Sequence, residues 1–163
     1  MFLRIKLLIF SMVIFSTLCI TGCSNNSSEI DKEVKASENE FPPSMIGSIS
    51  VNDKEYEIEV GNYRWERKQG QDTQVVETDA ASPYQIADNF SAIMVEPKTN
   101  INIEIQKNPR ISLYLWNEKG REKEVTLKNN QLLAPTSKGR YIYEILAKWS
   151  NGEVSYTFVL EVL

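Results

Sequence analysis

The chain contains no histidine and only two cysteines, Cys19 and Cys23, both within its first 23 residues. Without an imidazole there is no Ser-His-Asp or Cys-His machinery, and the side chain that most often serves as general base or metal ligand near neutral pH is missing. Beyond residue 23 the absence of both Cys and His excludes zinc sites of the usual kind and disulfides. Helical periodicity is lacking too, since no segment carries an apolar stripe at 3.6-residue spacing. Cations are outnumbered, 18 Lys and Arg against 22 Asp and Glu for a net charge of −4, which argues against nucleic acid as a partner. No P-loop, dinucleotide fingerprint or calcium loop is present, so no cofactor or metal is expected. What remains is a chain of 163 residues, 42% hydrophobic and 25% charged, sufficient for one globular domain and short for two.

The one long apolar run stands at the N-terminus. Arg4 and Lys6 precede Leu7–Ile20, a run too short for a membrane span of about 20 residues and suited to a signal peptide. It ends in Leu18-Cys19-Ile20-Thr21-Gly22-Cys23, which resembles a bacterial lipobox. The resemblance implies that residues 1–22 are removed and that Cys23 becomes the lipidated first residue, anchored by several acyl chains at about 0.8 kcal/mol per buried methylene. Loss of Arg4 and Lys6 takes the net charge from −4 to −6. An uncleaved anchor and an ordinary secretory signal are the alternatives, and polar Ser24–Ser28 disfavours both. Residues 23–45, polar and acidic with paired Pro42 and Pro43, read as the lipidated cysteine and a flexible tether; a short helix over 29–36 is the alternative. The expected location is the extracytoplasmic face of the cell membrane.

From residue 46 to 163 period-2 alternation dominates. Tyr56, Ile58 and Val60 alternate with glutamates, Ile101, Ile103 and Ile105 with Asn102 and Glu104, and Ile111, Leu113 and Leu115 with polar or aromatic residues. Ser82-Pro83 is suited to cap one helical turn. Asn151-Gly152 between two alternating runs predicts a two-residue hairpin turn with positive φ, pairing Ser150 with Glu153 and Ile145 with Phe158. That register puts Tyr141, Tyr143, Ile145, Ala147 and Trp149 on one face and leaves a mixed face opposite, partly covered by a neighbour. Seven to nine short strands at turn spacing predict an all-β domain, an antiparallel β-sandwich, with a small β-barrel as alternative. Gly139-Arg140-Tyr141-Ile142-Tyr143-Glu144 resembles the tyrosine corner of immunoglobulin-like domains, with Tyr143 where an antibody domain has its second cysteine. Together with Gly61-Asn62-Tyr63-Arg64-Trp65, Ser82-Pro83, Asn108-Pro109, Trp116 and Lys148-Trp149, the chain resembles small surface lipoproteins of Gram-positive bacteria. The resemblance implies an exported immunoglobulin-like β-domain and supplies no catalytic residues.

Three routes to catalysis were weighed, and each has a plainer explanation. Glu57 and Glu59 would lie about 7 Å apart on a strand, within range of a glycosidase pair, but alternating glutamates ordinarily form a wet strand face. Ser137-Lys138 are turn neighbours with no reason to face each other. Asp72, Asp79 and Asp88 have irregular spacing suited to solvated loops. Binding has more support. Tyr63, Trp65 and Arg67 fall on one face and are of the types that most often carry interface energy; they are either an exposed site or the core of a strand that bulges at Gly61-Asn62 to bury both them and Tyr56, Ile58 and Val60. The expected function is that of a non-catalytic interaction module, held to the membrane through its N-terminal lipid, for an envelope or membrane protein. The alternative is a carbohydrate or peptidoglycan binder with weak acid-pair hydrolase character.

Overall fold

The computed structural model describes residues 41–163, so the expected signal peptide, Cys23 and most of the expected tether lie outside the described residues. Eleven strands and one helical turn follow in order: β1 (Gly47–Val51), β2 (Lys54–Glu57), β3 (Glu59–Gln69), β4 (Asp72–Thr78), α1 (Pro83–Ala87), β5 (Ile93–Val95), β6 (Asn100–Ile105), β7 (Arg110–Asn117), β8 (Gly120–Val125), β9 (Gln131–Leu133), β10 (Gly139–Trp149) and β11 (Gly152–Val162). They form a sandwich of two open sheets, ordered β2-β1-β6-β9 and β4-β3-β11-β10-β7-β8. Every pairing is antiparallel except that of β5, which joins the end of β11 in parallel. The open edges exclude the barrel, and the strands outnumber the expected seven to nine.

From β6 onward the strands lie as expected for an immunoglobulin-like sandwich: β6 and β9 on one sheet face β7, β10 and β11 on the other, with β8 extending the second sheet. The tyrosine corner is present, Tyr141 donating its hydroxyl hydrogen to the Ser137 carbonyl at 2.9 Å. β1 pairs with β6 and β5 with β11, and residues 52–92 run between these two strands. Within that segment the chain crosses from one sheet to the other at Ile58, and the β3–β4 hairpin widens the larger sheet beyond β11.

The interior follows the alternation. Ile49, Ile101 and Ile103 from the smaller sheet meet Trp65, Leu113, Ile145, Tyr156 and Phe158 from the larger, each burial contributing about 1.5–3 kcal/mol. Tyr143 stacks on Phe158 with ring centroids 5.1 Å apart. The packed unit begins before residue 46, because Met45 is buried and its carbonyl accepts the Tyr156 hydroxyl at 3.0 Å.

The final hairpin is displaced from the expected register. Trp149 pairs with Gly152 and Ile145 with Tyr156, so Ser150-Asn151 forms the turn. Neither of these nor Gly152 adopts positive φ; the paired positive-φ turns fall at Asn52-Asp53, Lys107-Asn108 and Asn129-Asn130. Gly152 serves another purpose. It lies opposite Trp65 in β3, where a Cβ would stand 2.1 Å from the indole Cε3. The displacement moves each partner by two residues, so the apolar set keeps its face.

The expected bulge is present. Val60 and Tyr63 oppose Tyr156 and Val154, leaving Gly61 and Asn62 together against Ser155. The helical turn also forms as expected, with a capping box between Ser82 and Gln85 and Pro83 at its first position. It covers the mixed face of the hairpin: Ala87, with Phe90 and Ala92, packs on Ile142, Val159 and Trp116 as a second small core.

Candidate binding face

Tyr63, Trp65 and Arg67 share one face, and that face belongs to the interior. Trp65 is 2% exposed and meets Trp149 with centroids 5.1 Å apart. Tyr63 and Arg67 are half-buried. The Arg67 guanidinium lies 4.5 Å over the Phe41 ring, and its Nε donates to Gln74 Oε1 at 2.8 Å. Pro42, Pro43 and Met45 cross the same face, enclosing about 220 Å³ against Val60, Trp65 and Val154. The alternation correctly placed the three residues together; the cover came from the segment expected to be tether.

The other candidates are dispersed. Glu57 pairs with Ser48 on the smaller sheet and Glu59 with Thr157 on the larger. Among the described residues no three potential metal ligands converge, Asp72, Asp79 and Asp88 included.

The outer face of the larger sheet carries a different constellation. Glu144, in the middle of β10, is 4% exposed although it is charged. Burying a carboxylate is costly unless it is paired and hydrogen-bonded. Here Arg121 of β8 supplies a two-pronged contact, Nε to Oε2 at 2.7 Å and Nη2 to Oε1 at 3.0 Å, while Trp116 of β7 donates its indole N–H to Oε2 at 2.6 Å. The Arg121 guanidinium also lies 4.3 Å over the Tyr114 ring. Its pKa is pushed further up by the hydrogen bonds to Glu144, against the opposing effect of desolvation. Cross-strand register makes this assembly possible, since Tyr114 faces Glu144 and Trp116 faces Arg121.

Two open grooves flank the network. One, of about 650 Å³, runs between α1 and the β7–β8 turn and presents Tyr84, Asp88, Trp116, Lys119 and Arg140. Arg140 donates to the Ala87 carbonyl and so holds the end of α1 against the sheet. The second, of about 520 Å³, presents Arg64, Glu77, Asp79, Arg121, Glu144 and Glu153. Its rim is tied by ion pairs from Arg64 to Glu66 and Glu77, and from Lys148 to Glu153 at 2.9 Å.

Compared with known proteins, the chain matches no family model, no curated protein and no solved structure. The sequence reading missed the network because its members come from three strands, with Arg121 and Glu144 separated by 23 positions. The one local signal was a glutamate between Ile142 and Leu146 on the hairpin's mixed face.

Proposed function

We propose that this chain is a lipid-anchored, extracytoplasmic, non-catalytic binding module, held to the cell membrane through Cys23, whose partner is an envelope or membrane protein. The partner docks on the outer face of the larger sheet. One observation supports this reading: Arg121 and Trp116 pair the buried Glu144 between two grooves, one presenting Tyr84 and Arg140 and the other Arg64. Arg, Tyr and Trp are the residues most enriched at binding hot spots, and a network already fixed by hydrogen bonds loses little freedom on association. The groove holding Glu77, Asp79, Glu144 and Glu153 against two arginines has an acidic excess and favours a partner that presents Lys or Arg there.

Crosslinking in intact cells, followed by affinity purification and mass spectrometry, tests the reading. The native protein is compared with a Tyr84→Ala, Lys119→Glu double variant, whose exposed side chains stand clear of the Glu144 network. A specific envelope protein captured by the native form, lost with the folded variant, and binding the purified native protein at least tenfold more tightly is the expected result. Equal capture by both forms overturns the docking face.

A further inference from the structure

We propose that the outer face of the smaller sheet is a binding site for a neutral glycan. Register aligns Glu55, Ser50, Asn102 and Gln131 straight across β2, β1, β6 and β9, with Ser48 and Glu104 paired in a neighbouring row. Strands spaced about 4.8 Å apart turn these rows into a ladder of hydroxyl, carboxamide and carboxylate groups. Ser48, Glu55, Asn102 and Glu104 of these rows, with Asn108 and Asn130 from the adjoining turns, line an open groove of about 590 Å³.

The chemistry of the lining selects the ligand. A sugar hydroxyl is donor and acceptor at once, and a carboxamide answers both needs while a carboxylate accepts only. No lysine or arginine lines the groove, so Glu55 and Glu104 are not neutralised there and an anionic ligand would be repelled. These two carboxylates stand on β2 and β6 with β1 between them, about 10 Å apart, too far to share one metal ion. Ile46, 46% exposed, and Pro109 offer apolar contact for the C–H face of a sugar ring.

The groups are also held ready. Asn108, Asn129 and Asn130 sit at φ of 43°, 53° and 58° in tight turns, and the Asn130 carbonyl accepts the Ile103 N–H at 3.0 Å. Asn102 gives one amide hydrogen to Ser50 Oγ at 3.3 Å, and no other described residue bonds its side chain. This site lies on the opposite sheet from the proposed protein-docking face and does not depend on it.

The test is calorimetric titration of the full mature lipoprotein in detergent micelles with two neutral probes, the β-linked tetramers of N-acetylglucosamine and of glucose. Saturable binding of at least one probe is expected, weakened about fivefold or more by Asn102→Ala and by Glu104→Ala, the loss of one hydrogen bond in each case. Glu104→Gln, which keeps shape and hydrogen bonding, separates site loss from misfolding and retains most of the affinity. The Tyr84→Ala, Lys119→Glu variant binds glycan like the native protein, so failure of the docking face and failure of this site are read separately. Absence of saturable binding by either probe up to about 10 mM overturns the proposal. So does binding that is unchanged in both alanine variants.

Discussion

Gly152 shows how one residue redirects a turn. Flexibility was the reason to place it in the turn; the indole of Trp65 is the reason it lies in the strand instead. Gly152→Ala is therefore expected to lower stability by about 1–3 kcal/mol through overpacking, with a change in the emission of the Trp65–Trp149 pair, both read in a urea titration followed by fluorescence. The buried tyrosines make a second residue-scale prediction. Burial pushes the Tyr143 hydroxyl up to about 12 from its usual 10 and raises that of Tyr156 further. Between those values the folded chain keeps protons that the unfolded chain has released. Stability is thus undiminished below pH 10 and falls as pH rises from 10 toward 12, by up to about 1.4 kcal/mol per pH unit for each tyrosine. Tyr143→Phe should remove one of these contributions, seen as a shallower decline in urea midpoint across that range; an unchanged decline would exclude Tyr143 as a source.

The bulge in β3 governs a whole element. Side chains alternate faces along a strand, so if Gly61 and Asn62 alternated regularly instead of sharing one position opposite Ser155, the set Tyr63, Trp65 and Arg67 would point outward whenever Val60 points in. Deleting Asn62 leaves Gly61 alone against Ser155 and returns Val60, Tyr63 and Trp65 to regular alternation, so Trp65 should stay inside with its emission unshifted, at a cost of about 1 kcal/mol for the lost bond from the Ala80 N–H. Asn62→Ala keeps the bulge and loses the same bond, so the two variants should match within about 1 kcal/mol in a urea titration; a red-shifted tryptophan emission in the deletion variant alone would refute the role given to the bulge. Alternation made β6, β7, β10 and β11 readable from sequence, since each has one face on the core. The α1 turn was readable from its cap, though not its position over Ile142 and Val159, which depends on the segment between β4 and β5 folding back across the larger sheet.

At the scale of the molecule, the domain has no thiol, and its stability derives from the packing between its sheets. The proposed anchor predicts that Cys23→Ser releases the protein from membranes or leaves an unprocessed precursor, as judged by cell fractionation and immunoblotting; normal processing and membrane retention would overturn the lipoprotein reading. The packed unit takes in Phe41 and Met45, so the connection between Cys23 and the domain is shorter than a tether ending at residue 45. It joins the domain along the face carrying Trp65 and Arg67.

The all-β class, the strands with a single wet face, the bulge, the helix cap and the tyrosine corner could all be read along the chain, because each expresses a preference among residues a few positions apart. The widened sheet, the burial of Trp65 beneath Phe41–Met45, the displaced turn at Gly152 and the Arg121–Glu144–Trp116 network could not. Each depends on which strand lies beside which across 20 or more residues, and that is settled by how much apolar surface the assembled sheets bury together rather than by any local pattern.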